Sequence, residues 1–98
     1  MTIEKVMNGS AAILKIAGAL DTETAPQLEA LLSSELADLN DLTLDLEALE
    51  YVSSAGLRVI LNAQKMMNAA GKMKLVHVNE TVMEIFEITG FTSILTIE

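Results

Sequence analysis

The sequence predicts an α/β fold in which a mixed sheet of four to five strands is packed by three or more helices. One observation is the Asn8-Gly9 dipeptide between two apolar segments, which favours the tight turn of an antiparallel hairpin. A second is the alternation of strand-like and helix-like segments after that hairpin, which favours right-handed crossovers and mostly parallel pairing. With 98 residues the chain is long enough for one domain, and we expect residues 1–98 to form a single one.

The first half of the chain contains the hairpin, one helix and one further strand. Hairpin strands are predicted near residues 2–7 and 11–17. A helix is predicted from Thr22 to about Asp38, because apolar residues recur there every three or four positions. These residues are Ala25, Leu28, Leu31, Leu32 and Leu36. A strand over residues 42–48 alternates leucines with polar residues, so we expect helices to cover one face of the sheet much better than the other.

A second helix is predicted from Ser54 to about Ala70, where Gly71 supplies its end. Its inward face is formed by Leu57, Ile60, Leu61 and Gln64, with Val59, Ala63 and Met66 beside them. The methionines of this region are interpreted as flexible side chains that fill gaps in the core. They are Met66, Met67, Met73 and Met83.

For the last part of the chain, the sequence predicts two strands and a short helix. A strand over residues 72–78 contains His77, and a final strand covers residues 93–98. Between them, Asn79 caps a short helix that ends at Gly90. The inward residues of this helix are Val82, Ile85 and Phe86.

The composition of the chain excludes several classes of function. The chain carries 14 acidic and 6 basic residues, a formal charge of −8, which argues against a nucleic-acid partner because phosphates would be repelled. It has no cysteine, which excludes thiolate metal sites and thiol catalysis. No apolar run approaches the roughly 18 residues of a membrane span, and the first residues lack a secretory pattern. We therefore expect a cytoplasmic protein without a membrane span.

Two loops carry the candidate site residues. Asp21 lies in the loop after the second predicted strand, and Ser53 and Ser54 lie in the loop before the second long helix. If the strands over residues 11–17 and 42–48 are neighbours, these loops share the carboxyl edge of the sheet, where α/β proteins usually bind ligands. A helix N-terminus favours an anion, so the serine loop is suited to phosphate. From the residues alone, capping of the helix is the favoured role of the serine pair, and chemical modification of Ser53 or Ser54 is the alternative.

Arg58 follows Ser54 by four residues and therefore lies on the same helical face. Three partners are open for this cation: a phosphate, a carboxylate of a binding partner, or one of the chain's own acids, Glu47 or Glu50. Catalysis is disfavoured, because His77 is the only histidine and is expected to be a packed or half-exposed residue of its strand, away from the serines. Asp45 and Glu47 share the polar face of a strand and are expected to be solvated.

The segments "DLEALEYVSSAGLRVIL", "IAGALDTETA" and "GKMKLVHVNETVMEIFEITGF" resemble the STAS domain of bacterial anti-sigma factor antagonists, over nearly the whole chain. The resemblance implies an antagonist that binds an anti-sigma factor serine kinase and so frees a sigma factor. Phosphorylation of a motif serine by that kinase would break the complex, and a phosphatase would restore it. The matching serine is Ser54, with Ser53 as the less favoured position. With the resemblance, Ser53 is expected to cap the helix and Ser54 to be the modified residue. The implied partner-binding residues are Asp21, Thr22, Ser53, Ser54, Ala55, Gly56 and Arg58.

The sequence departs from the family pattern at three positions. Ser53 replaces an aspartate, Ala55 replaces a small hydroxyl residue, and Arg58 replaces a small residue. Such variants resemble STAS domains that act as signalling scaffolds or as subunits of lipid-transport ATPase complexes without phosphorylation, which is the alternative function. A small hydrolase that uses Ser54 is the least favoured hypothesis. We expect no enzymatic activity, no cofactor, no metal, and a monomer, with a weak dimer as the alternative.

Overall fold

A five-stranded mixed sheet with helices packed on it forms the framework of the molecule. The computed structural model describes residues 1–35 and 38–98, so Leu36, which was assigned to the apolar face of the first helix, lies outside the described residues. Three α-helices are present in the described ranges. The predicted fold class is therefore confirmed.

The N-terminal hairpin consists of β1 (Thr2–Asn8) and β2 (Ala11–Leu20), which pair antiparallel. Gly9 supplies the turn with a φ of +62°, a conformation that costs glycine nothing. Strand β2 is longer than predicted, and its register shifts at Gly18, which has a φ of +94°. This irregularity lets β2 pair with one strand along its first half and with a different strand along its last residues.

The remaining strands run parallel to β2. Strand β3 (Asp41–Asp45) lies between β2 and β5 (Lys72–Val76), while β4 (Leu49–Val52) pairs with the end of β2. The prediction of one strand over residues 42–48 is wrong, because the chain turns after Asp45 and starts a second short strand. The Asp45 carboxylate accepts a hydrogen bond from Glu47 N at 3.1 Å, which fixes that turn.

Helix α1 spans Ala25–Glu35, α2 spans Ser54–Ala70 and α3 spans Glu80–Thr89. The bounds of α2 and the caps of α3 agree with the sequence prediction. Helix α1 begins three residues later than predicted, because residues 22–24 form a turn that is held by side chains.

Two strand predictions near the C-terminus are wrong. Instead of a strand over residues 93–98, a short 3₁₀ helix covers Phe91–Ser93, and only Ile97 bridges to Leu75. The strand that was predicted to include His77 ends at Val76, because His77 has a φ of +55°, which is incompatible with an extended strand.

The side chain of His77 instead reaches Asp45, with Nδ1 at 3.1 Å from Oδ1. The Asp45 side chain is only 15% exposed, so Asp45 is less solvated than expected, whereas the expectation is correct for Glu47, whose side chain is 80% exposed. The reason is the close approach of the β3 and β5 ends, which the sequence pattern does not reveal.

The core lies on one face of the sheet. Buried residues alternate with exposed or half-buried ones along β2 and β3, which confirms the expected one-sided covering. The largest fully buried side chains include Ile16, Leu44, Leu75 and Phe86. Along the described part of the chain, no helix has both the length and the apolarity that crossing a membrane requires.

The inward face of α2 differs slightly from its prediction. Met66 is 49% exposed and Met67 is fully buried, so the placement of Met66 beside the core is wrong. The buried positions of this helix are Gly56, Leu57, Val59, Ile60, Ala63, Gln64 and Met67. Gly56 is buried against β2, so the buried face of α2 lies on the same side of the helix as Gly56. It therefore includes Ile60 and Met67, four and eleven positions after Gly56.

Candidate functional site

The Asp21 loop and the serine segment lie side by side at the carboxyl end of β2. Leu20 pairs with Val52 in the β2–β4 ladder, and Ser53 N donates to the Leu20 carbonyl oxygen at 2.8 Å. Asp21 is therefore next in the chain to a residue that Ser53 contacts. Strands β2 and β3 pair as predicted. The serines, however, follow β4, so the pairing of β4 with the end of β2 places them beside Asp21.

Ser53 and Ser54 have different structural roles at the start of α2. The Ser53 side chain accepts a hydrogen bond from Gly56 N at 3.3 Å, and its backbone is extended, as expected of an N-cap. Ser54 is the first helical residue and is exposed. Its hydroxyl makes no hydrogen bond to any residue in the described ranges. The prediction that Ser53 caps the helix is confirmed, and the Ser54 hydroxyl is accessible to solvent.

Gly56 sets how closely α2 approaches the end of β2. A Cβ atom at this position would lie 2.7 Å from Leu20 Cγ and 2.8 Å from the Leu20 carbonyl oxygen. Gly56 is buried, so within the predicted partner-binding set it supports the surface from beneath.

Asp21 organises the turn that precedes α1. Its Oδ1 accepts hydrogen bonds from the N–H groups of Glu23 and Thr24, both at 3.0 Å. The Thr24 hydroxyl accepts from Asp21 N at 2.8 Å and lies 2.8 Å from the Ala19 carbonyl oxygen. Hydrogen bonds hold the pKa of Asp21 below its usual value. The bond from the N–H of Thr24 has the largest effect, desolvation opposes it, and the bonds from the Thr24 hydroxyl and from the N–H of Glu23 lower the pKa further.

This turn was not predicted, although the sequence carries its signal. Asp21 is followed three residues later by Thr24, and the helix begins at the next residue. A short polar side chain that bonds the N–H groups just after it is typical of the start of a helix. Asp21 is therefore a structural residue of the α1 start as well as a predicted partner-binding residue.

Arg58 is exposed and unpaired within the described ranges. It forms no ion pair with Glu47 or Glu50, so the intramolecular pair that was one of its three possible partners is absent. Arg58 lies with Thr22 and Ala55 along a groove of about 160 Å³ between the starts of α1 and α2. The fold thus brings three more of the predicted partner-binding residues onto one surface.

We call the accessible members of this set the rim. Its residues are Asp21, Thr22, Ser53, Ser54, Ala55 and Arg58. The rim combines a hydroxyl at a helix N-terminus, a carboxylate and a cation. This combination suits the recognition of a partner surface and can accommodate an added phosphate.

The chain matches one known family over nearly its whole length. A family model described as the STAS domain matches residues 2–98. The chain belongs to the STAS domain family. A Bordetella bronchiseptica relative, described as a candidate anti-sigma factor antagonist, is 37% identical to this STAS domain over 100 residues, which cover 99% of this chain and 84% of the relative.

Further comparisons agree with the family. The anti-sigma-B factor antagonist of Staphylococcus aureus is 31% identical over 84 residues, which cover 84% of this STAS domain and 78% of the relative. A crystal structure from Thermotoga maritima, described as a candidate anti-sigma factor antagonist, has a TM-score of 0.88 at 26% identity and covers 97% of this chain and 84% of its own. The mixed sheet with helices on one face is therefore the arrangement of solved relatives.

Proposed function

We propose that this STAS domain is an anti-sigma factor antagonist that binds a serine-kinase anti-sigma factor through the rim. In this proposal the partner kinase phosphorylates Ser54 and thereby ends the interaction, and a phosphatase reverses the change. The observation that carries the proposal is the free, exposed hydroxyl of Ser54 on a helix whose cap is supplied by Ser53. The relatives named as antagonists support the general function.

The helix start tolerates a phosphate on Ser54 without refolding. Unpaired N–H groups and the helix dipole favour negative charge at the first turn. Arg58, one turn later and without an ion pair in the described chain, is available to the phosphate oxygens. Because Ser53 makes the capping bond, modification of Ser54 leaves that bond intact.

The same phosphate would weaken binding to an acidic group of the partner. A phosphoserine carries about −1.5 to −2 charges at pH 7. At about 6 Å from one carboxylate, the repulsion is roughly 1 kcal/mol in water and about 5 kcal/mol at an effective dielectric constant of 20. Even about 3 kcal/mol changes an affinity on the order of a hundredfold. One phosphate is therefore sufficient for a switch.

Phosphorylation itself tests the site. The purified domain, its Ser54→Ala variant and its Ser53→Ala variant are incubated with the anti-sigma factor kinase of the same organism and ATP, and phosphate is located by peptide mass spectrometry. We expect one phosphate on the wild type and on Ser53→Ala, and none on Ser54→Ala. Phosphate on Ser53, or none on the wild type, contradicts the proposed switch.

Binding tests the consequence of the charge. We expect Ser54→Asp to weaken the complex with the kinase at least about tenfold, measured by calorimetry. Ser10→Asp is the matched control, because Ser10 lies at the opposite end of β2, where its hydroxyl donates to Asn40 Oδ1 at 3.1 Å. Equal affinities for Ser54→Asp and the wild type would contradict a phosphorylation switch. They would favour the alternative of a scaffold or transport-complex subunit that binds without modification.

A further inference from the structure

Asp45, Glu47 and His77 form a cluster of three possible metal ligands, which we call the His77 cluster. One ligand atom from each residue lies within 4.8 Å of the other two. His77 Nδ1 is 3.1 Å from Asp45 Oδ1 and 4.0 Å from Glu47 Oε2. The rim and the proposed antagonist function use none of these residues, so the cluster has no role assigned so far.

The backbone holds two of the three ligands in place. Leu46 N donates to the Val76 carbonyl oxygen at 3.1 Å, which ties together the chain beside Asp45 and the chain beside His77. Glu47 N donates to Asp45 Oδ1 at 3.1 Å, which folds Glu47 back over the same point. The Glu47 side chain is 80% exposed and can rotate toward a bound ion at little cost. The cluster is thus largely formed before any ion binds.

The spacing of these atoms suits a small divalent transition metal. Ligand atoms that sit about 2.0–2.2 Å from a tetrahedral Zn²⁺ are separated from one another by about 3.3–3.6 Å. The two separations from His77 Nδ1, 3.1 Å to Asp45 and 4.0 Å to Glu47, lie on either side of that range, and all three ligand atoms lie within 4.8 Å of one another. One imidazole nitrogen with two carboxylates is a donor set that favours Zn²⁺-like ions over Mg²⁺, which prefers oxygen ligands alone.

We propose that the His77 cluster binds one divalent transition metal ion of the Zn²⁺ class. Asp45, Glu47 and neutral His77 through Nδ1 supply three ligands, and water completes the coordination. This inference stands on the cluster geometry and is independent of the proposed antagonist function.

The surroundings explain how an ion reaches the cluster and what opposes it. Asp45 and Glu47 line an open groove of about 530 Å³ together with Glu4, Lys15 and Ala48, so solvent has access to the carboxylates. Lys15 lies directly opposite Asp45 in the β2–β3 register, and its positive charge opposes a bound cation. Removal of that charge should therefore tighten metal binding.

Zinc titration of the protein without an affinity tag tests the proposal. The chain has a single histidine, so the ring signals of His77 are the only ones of their kind in an NMR spectrum. We expect one Zn²⁺ per chain by calorimetry and a matching shift of the His77 ring signals. His77→Asn, chosen because asparagine tolerates a positive φ, and Asp45→Asn should each weaken binding about tenfold or more, and Lys15→Gln should tighten it.

Glu50→Gln is the control for general loss of negative charge, because Glu50 is an exposed acid of β4 outside the cluster. Binding that is kept in Glu50→Gln and weakened in His77→Asn and Asp45→Asn supports the proposal. Absent binding, or binding that His77→Asn leaves unchanged, overturns it. A circular dichroism spectrum for each variant establishes that the fold is retained.

Discussion

At the scale of single residues, Asp21 connects the rim to the stability of the fold. Its carboxylate accepts hydrogen bonds from two backbone N–H groups at the start of α1, and these bonds are stronger to the ionised form than to the protonated one. The pKa of Asp21 is lowered from 3.8, first by the N–H of Thr24. A carboxyl group with a lowered pKa in the folded state stabilises the fold above its unfolded pKa, and this stability is lost as the pH falls through the folded pKa.

We therefore expect Asp21→Asn to flatten the acid side of the stability curve. The asparagine oxygen still accepts hydrogen bonds but does not titrate, so unfolding free energy should fall less steeply below about pH 4 than in the wild type. Urea unfolding at a series of pH values measures the difference. Glu23→Gln removes a neighbouring charge as a control, and identical pH dependence of Asp21→Asn and the wild type would contradict this account.

At the scale of elements, the contact between α2 and β2 determines where the rim lies. Gly56 permits that contact, because a side chain there would meet Leu20. Two effects of Gly56→Ala oppose each other: alanine favours a helix by about 1 kcal/mol, and the added Cβ would lie 2.8 Å from the Leu20 carbonyl oxygen. A backbone atom in a ladder cannot move aside, so the steric cost should exceed the gain.

We expect Gly56→Ala to lower the free energy of unfolding by about 1–3 kcal/mol in urea denaturation. Ser54→Ala, two residues earlier and on an exposed side chain, should stay within about 0.5 kcal/mol of the wild type. A Gly56→Ala variant as stable as Ser54→Ala would show that the helix can shift away from β2.

The same elements show what the sequence could predict. The start and end of α2 follow from local chemistry, the Ser53 cap and Gly71, so both bounds were predicted. Strand β4 was missed because its burial runs buried, exposed, exposed, buried rather than in alternation, and because the turn before it lacks glycine or proline. That turn depends on the Asp45 side chain instead.

The C-terminal segment, residues 93–98, is the converse case, because it was predicted as a strand and does not form one. Its apolar residues have the composition of a strand, but only Ile97 reaches a partner. Two backbone hydrogen bonds, from Leu75 N to the Thr96 carbonyl oxygen and from Glu98 N to the Leu75 carbonyl oxygen, join it to β5, together with an ion pair between Lys74 and Glu98 at 4.0 Å. Pairing partners belong to tertiary structure, so composition alone overestimated the strand.

At the scale of the whole molecule, the burial of one face of the sheet could be predicted from the sequence. Contacts between residues that are far apart in the sequence could be predicted only in part. Alternation within β3 shows that one face is buried, whatever the neighbouring strands are. The position of Asp21 beside the serine segment was expected from a shared edge of the sheet, although through the wrong pair of strands. The contact between Asp45 and His77, 32 residues apart, depends on the order of strands and on a positive φ, neither of which a pattern of polarity reveals.

Because helices cover only one face of the sheet, a last prediction compares the same substitution, isoleucine to alanine, at a buried and at an exposed position of β2. Ile16 is 1% exposed beneath the helices, and Ile13 is 39% exposed on the open face. Ile16→Ala should cost about 2–5 kcal/mol of unfolding free energy because it leaves a cavity in a closed core. Ile13→Ala leaves a space that water fills, so it should cost less than about 1.5 kcal/mol.

Urea denaturation at two protein concentrations makes this comparison decisive. For a monomer, the cost of Ile13→Ala should be small and independent of concentration, because nothing but solvent covers the open face. Val6, another exposed apolar residue of that face, is paired with Ile13 in the hairpin, so the two form a small apolar surface. If a second copy covered this surface in solution, Ile13→Ala would cost nearly as much as Ile16→Ala, and its cost would grow with concentration. Equal costs would therefore contradict a monomer with one solvated sheet face and identify that face as a dimer contact.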